Sequence, residues 1–452
     1  LPPTPKRVPH TLGLIVTVAI LATVVSCSDD TTVEDGADGD GTTVATSEAT
    51  ESSSSTGGAA TGGGSGSAPS SIAAPDAARA MQHIEHLTGT VGPRPAGSEA
   101  EREAADYIAS QLTEAGYDAT IEEFTFEAER DDSLVTLPDG DALRALAMQG
   151  SAMTEASGTA VHGGLGRPED LAGAVLAGNV VIFDRGIVTF GDKALAAEAA
   201  GAIAVVVVND EPGLFLGSLG DGVTSSIPVV GVSGENAEAL EAAIGERLMV
   251  TADAGLESIT SQNVVASIDD GACRAYLGGH YDTVTVSPGA NDNASGTAVV
   301  LEVARVNPVP GLCVVLFGAE ELGLFGSQSY VAEHLAGTGR FMLNVDMAGR
   351  SDGPVIVGDR DLADAALEGI QAAGVESALR AGRFPPGASS DHVSFESVGV
   401  PAVTFNSGDD EAIHTAEDTI DRIQPDAVAM FVSAVDAALD ALVAEHSDAL
   451  AR

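Results

Sequence analysis

At 452 residues the chain is too long for one ordinary core, so two folded domains with tails are expected. Acids outnumber bases 67 to 20, a formal charge of −47, which excludes the basic patches of a nucleic-acid binder; with Lys6 and Lys193 as its only lysines it also lacks a polybasic membrane patch. Hydrophobic residues reach 44% while aromatics stay at 4%, so small aliphatic side chains must fill the interior.

Lys6 and Arg7 precede an apolar run over 11–25, too short to span a bilayer comfortably. The run ends in Val24-Val25-Ser26-Cys27, and residues 1–27 resemble a bacterial lipoprotein signal peptide. The resemblance implies cleavage before Cys27, lipidation of that cysteine and anchoring at the cell surface; ordinary secretion is the alternative. A Ser/Thr/Gly/Asp linker over 28–75 holds almost no large apolar residue and is expected to stay unfolded.

Folded sequence begins near Asp76. A helix is expected over 98–116, with Ser98 as N-cap, Ala104, Ile108 and Leu112 on one face and Gly116 as terminator. An alternating strand follows over 117–126. From 150 to 257 short apolar runs alternate with glycine-rich turns, around an alanine-rich helix over 193–200. The run from Gly178 through Val180-Val181-Ile182-Phe183-Asp184 to Gly186, then Phe190, Lys193, Gly201 and Ile227-Pro228-Val229-Val230, resembles a protease-associated (PA) domain. The flanking segments 76–149 and 258–447 are expected to form the second domain.

In that domain strands are expected over 275–279, 312–318, 342–346, 355–358 and 401–405, with helices over 294–305, 322–334 and 425–445. Strands that are apolar throughout, alternating with amphipathic helices, indicate an α/β fold: a mostly parallel mixed sheet with helices on both faces. Catalytic groups then belong at the carboxyl ends of the strands. Cys273 and Cys313 each precede a buried strand, as a disulfide between neighbours or as two buried thiols.

Polar residues fall where the topology asks for them. His280 and Asp282 end the first strand, and side chains two apart on a strand point the same way, so His280 can bind a metal with Asp282 orienting its ring. Asp292 lies in Gly289-Ala290-Asn291-Asp292-Asn293-Ala294-Ser295-Gly296, as a helix cap or as a carboxylate shared by two cations. Glu320 and Glu321 stand at the mouth of a buried strand, where adjacent carboxylates are costly without cations. Asp346 follows Phe341-Met342-Leu343-Asn344-Val345, and His414 sits in a polar loop with Asp418 nearby to support it. Each signal has a bland reading of its own; the ordered set is far more specific.

That set, with Ser390-Asp391-His392, resembles the co-catalytic zinc aminopeptidases of the aminopeptidase Y and bacterial leucyl aminopeptidase type, over roughly 76–442 apart from the PA-like insertion. The resemblance implies a zinc-exopeptidase fold, two Zn²⁺ per chain and peptide substrates. It implies Asp292 bridging the metals, His280 and Asp346 completing one site, Glu321 and His414 the other, Glu320 as general base and Asp282 as orienter. Ile413 stands where some relatives carry a tyrosine that stabilises the oxyanion, which leaves that donor unassigned. Met347, Phe405 and Ile413 are candidates for an apolar substrate pocket. Within the same clan the alternatives are a carboxypeptidase or dipeptidase using Arg350 or Arg383, a single-zinc glutaminyl cyclase, or an inactive PA-bearing binding protein.

Overall fold

A computed structural model describes residues 74–269, 273–335 and 339–450. The expected signal peptide, with Cys27, and nearly all of the 28–75 linker lie outside the described residues. The chain divides into two compact units, one formed by Glu123–Gln262 and the other by the segments on either side.

Strands in chain order are β1 (Asp118–Asp131), β2 (Leu134–Thr136), β3 (Ala142–Ala147), β4 (Glu155–His162), β5 (Val180–Asp184), β6 (Ala204–Val208), β7 (Val229–Val232) and β8 (Arg247–Thr251). They continue with β9 (Ala254–Ser267), β10 (Ala275–His280), β11 (Leu312–Phe317), β12 (Phe341–Val345), β13 (Val355–Gly358), β14 (Arg380–Ala381) and β15 (Ala402–Asn406).

The eight-stranded sheet has the order β1-β9-β11-β10-β12-β15-β13-β14. The central run β11-β10-β12-β15 is parallel, and β9 and β13 join it antiparallel. Strand β10 lies between β11 and β12, so the chain winds outward from it in both directions; such a switch point opens a crevice at the strands' carboxyl ends. Buried residues of β10, β11 and β12 pack on one face with helices Ala77–Glu85, Glu99–Glu114, Gly296–Val306, Arg360–Ala372 and Pro425–Glu445. The other face carries helices Phe325–His334 and His392–Glu396, where Tyr276, Phe317, Tyr330 and Phe395 form an aromatic cluster.

Local chemistry sets the element ends. Ser98 Oγ accepts the Glu101 N–H at 3.0 Å and starts the Glu99–Glu114 helix, whose Ala104, Ile108 and Leu112 are buried. The helix expected from 294 is α-helical from Gly296 and follows a π-type turn over Ala290–Ser295, which the non-helical dihedrals of Asp292 and Asn293 kink. The helix expected from 322 begins at Phe325, because Leu324 is left-handed with φ 62°. A disulfide joins Cys273 and Cys313, Cα to Cα 5.4 Å, at the amino ends of β10 and β11.

In the second unit, β2-β3-β7-β6-β5-β4-β8 close into a barrel. Val135, Val180, Val206, Val230 and Val250 fill its core, while Phe183, Val205 and Val207 pack with Ala194 and Ala197 of helix Phe190–Ala199. The barrel needs β2 and β3, since Ala145 pairs with Val232 and Val135 with Val250. The unit therefore begins at Glu123, ahead of the boundary at 150 suggested by composition. Lys193 is buried and donates from Nζ to the Asp184 carbonyl at 2.6 Å.

Candidate metal centre

His280 is the last residue of β10 and is buried. Its strand threads between neighbours at close quarters: a Cβ on Gly279 would lie 2.4 Å from the Val345 carbonyl oxygen. Asp292 sits in the irregular turn ahead of helix Gly296–Val306. Asn293 pins this turn to the sheet, donating to the His280 and Val345 carbonyls at 3.2 and 3.0 Å and accepting the Met347 N–H at 3.0 Å. Beyond β11, Ala319 takes φ 54° and the chain turns sharply into Glu320 and Glu321. Asp346 follows β12 directly, and the Asn406 amide donates to its carbonyl at 2.8 Å. His414 is in the loop after β15 with φ 61°.

These side chains converge. His280 Nε2 lies 3.2 Å from Asp292 Oδ1 and 3.4 Å from Asp346 Oδ1. His414 Nε2 lies 3.2 Å from Asp292 Oδ2 and 3.1 Å from Glu321 Oε2. Two groups able to hold an ion thus share Asp292, with ligating atoms in each within 4.8 Å of one another. Asp282 Oδ1 is 3.6 Å from His280 Nδ1, too long for a hydrogen bond, and the carboxylate instead accepts the N–H groups of Glu320 at 3.0 Å and Glu321 at 3.3 Å. Asp418 does not touch His414 as a support; its two oxygens take the N–H groups of Asn291 and Asp292.

Burial pushes the Glu320 carboxyl well above the usual range, with Asp391, Asp346 and Glu321 adding to it, and pushes Glu321 up to about 7. Burial would also raise Asp292, but the two imidazoles hold it low. Hydrogen bonds that the His414 imidazole donates to Asp292 and Glu321 raise it to about 10. Packing so many acids around two imidazoles is unfavourable in the protein alone, and Glu321 Oε1 is buried without a partner. Imidazole and carboxylate donors without thiolate suit zinc, so the residues fit the expected metal.

The group opens into a cavity of about 1070 Å³. Met347 and Ile413 line it as expected, but Phe405 does not. Alternation along β15 turns Val403 and Phe405 into the helix-covered core with Ile356 and Ala366, while the following Asn406 reaches the cavity. Arg383 lines the cavity; Arg350 is engaged with Asp352 at 2.5 Å and Asp410 at 3.8 Å.

Residues 263–439 match the model of peptidase family M28, and residues 147–240 match the PA domain. Aminopeptidase YwaD of Bacillus subtilis is 34% identical over 373 residues, covering 77% of this chain and 80% of the relative. The chain belongs to peptidase family M28. A probable lipoprotein aminopeptidase of Mycobacterium tuberculosis, LpqL, is 32% identical over 56% of this chain and 54% of the relative. The solved structure of BSAP, a zinc aminopeptidase from Bacillus subtilis, superposes with TM-score 0.60 at 30% identity, over 80% of this chain and 94% of that one.

Reading the sequence did not reveal every contributor to this M28 site. Asp410 lies against the turn that carries Asp292, taking Asn291 Nδ2 at 3.0 Å and Arg422 at 3.1 Å. Its only sequence signal was an acid beside Asp409 in a polar loop. Arg94 was also missed: a lone arginine between Pro93 and Pro95, far from the motifs in sequence, is nonetheless buried beside the centre.

Proposed function

We propose that this M28 peptidase is an exported zinc aminopeptidase carrying two zinc ions, held by His280, Asp292 and Asp346 and by Asp292, Glu321 and His414. The observation that carries the reading is the division of Asp292, whose two oxygens each stand 3.2 Å from a different imidazole. Bound zinc supplies Lewis acidity and lowers the pKa of a water toward ~7.

The chain's own groups do the rest. Glu320 takes the proton from the attacking water and returns it to the departing amine nitrogen. Its raised affinity for protons, caused first by burial, suits a group that must hold one between those steps. Asp282 fixes the backbone of Glu320 and Glu321, so base and ligand keep their separate directions. Asp352, Asp409, Asp410 and Glu411 at the cavity favour a free amine, and of the two arginines considered for a substrate carboxylate Arg350 is already committed to acids while Arg383 lines the cavity. The relatives named aminopeptidases support the same choice. Export with lipid attached at Cys27 is supported by the 1–27 pattern and by a relative named as a lipoprotein.

A zinc-reconstituted assay on free and N-acetylated peptide amides tests the activity. Release of the first residue from free peptides alone is expected, and equal cleavage of both would defeat the exopeptidase reading. Detergent partitioning of the full chain and of Cys27→Ser tests the anchor.

A further inference from the structure

Arg94 is a fully buried cation that the proposed chemistry does not use. Its hydrogen bonds go to main-chain carbonyls: Nε to Tyr281 at 2.5 Å, Nη1 to Pro288 at 2.8 Å and Gly92 at 3.2 Å, Nη2 to Gly289 at 3.0 Å. Its own peptide group adds two more, its N–H to Thr283 Oγ1 at 3.0 Å and its carbonyl from the Thr283 N–H at 3.3 Å. Among the described residues it forms no ion pair. Burying a guanidinium in this way is costly unless charge nearby compensates. The compensation comes from Asp282, Asp418, Asp292 and Glu321; burial lowers Arg94 only to about 10, so it stays charged.

The carbonyls it joins are not arbitrary. Tyr281 directly follows His280, and Pro288 and Gly289 open the turn that carries Asp292. Gly289 is left-handed, and a Cβ there would meet Thr283 at 2.2 Å and Arg94 Nη2 at 3.3 Å, so glycine is what lets the two turns close on the guanidinium.

We propose that Arg94 is a positioning residue of the metal centre, whose guanidinium ties the turn after His280 to the turn before Asp292 and lends the carboxylate cluster a fixed positive charge. This rests on the metal centre proposed above. The planar fork spans carbonyls on both turns at once, which a lysine ammonium cannot reproduce. With the two turns locked, the shared carboxylate faces His280 before any ion arrives, and less reorganisation opposes binding.

The test uses the full chain stripped of zinc, with Arg94→Ala and Arg94→Lys. Zinc is titrated against a chromophoric chelator, folded fraction is read by circular dichroism, and kcat and KM are measured at saturating zinc. Per folded molecule, both variants should bind zinc about 10–100-fold more weakly, as for other groups that orient ligands. Their kcat should fall while KM changes little, and ethylguanidinium should restore zinc affinity to Arg94→Ala where ethylammonium does not. Wild-type zinc affinity in the folded fraction of either variant would overturn the proposal. So would failure of both variants to fold, which would assign Arg94 to the fold alone. If the wild type itself does not take up two zinc ions, the metal-centre reading fails first, and that outcome is distinct from the others.

Discussion

Asp418 holds Asp292 by its backbone, one carboxylate oxygen accepting the Asp292 N–H at 3.0 Å and the other the preceding Asn291 N–H at 2.8 Å. In Asp418→Asn an amide NH₂ would face one of these donors, and the turn must shift. Zinc affinity should drop about 10–100-fold, read by chelator competition. Unaltered affinity would mean that the turn holds its shape without Asp418.

Glu320→Gln keeps the size of the proposed base and removes its ability to take a proton. kcat should fall about 10²–10⁴-fold while zinc content, measured by elemental analysis, stays at the wild-type value. Loss of metal together with activity would reassign Glu320 to ligation.

The disulfide between Cys273 and Cys313 lies at the amino ends of strands whose carboxyl ends bear His280 and Glu320. Closing a loop with sequence separation 40, it should contribute roughly 2–4 kcal/mol of stability. The Cys273→Ser, Cys313→Ser double variant should unfold at lower denaturant, yet retain kcat within about twofold under native conditions, because the bond sits away from the chemistry. Loss of activity in the folded variant would show that strand register is transmitted along the sheet.

His83 supplies an acid-sensitive term. Burial lowers its pKa from 6.5 to about 4, with its Nδ1 2.6 Å from the Tyr107 hydroxyl. The unfolded chain binds this proton first, so the contribution is present above pH 6.5 and is lost as pH falls toward 4. The loss amounts to roughly 3 kcal/mol. In His83→Gln the decline in stability between those pH values should be shallower, and melts across that range measure it. A slope equal to the wild type's would place the sensitivity elsewhere.

Much of this arrangement was legible in the sequence because the central strands are apolar throughout and give way abruptly to polar residues at their carboxyl ends. Runs such as Val314–Phe317 have no amphipathic ambiguity, and an acid or histidine at their ends stands out against them. Phe405 misled because strand side chains alternate in facing, and a continuous apolar run does not reveal which residues face the cavity. Asp418 was placed near the centre but given the wrong contact, since its bonds run to backbone groups that no side-chain pattern encodes. Arg94 was illegible for the same reason: its partners are carbonyls. The barrel's first strands were missed because β2 and β3 are short and half exposed.

The two histidines differ in one respect that matters kinetically: the His280 side chain is 1% accessible and that of His414 is 53%. A chelator or competing ion can therefore meet the outer imidazole directly, while the inner one is sealed by sheet and turn. Loss of the two proposed ions should run in sequence, with the His414 position emptying and refilling first. Gentle dialysis would then leave a half-loaded enzyme whose remaining ion marks the inner position.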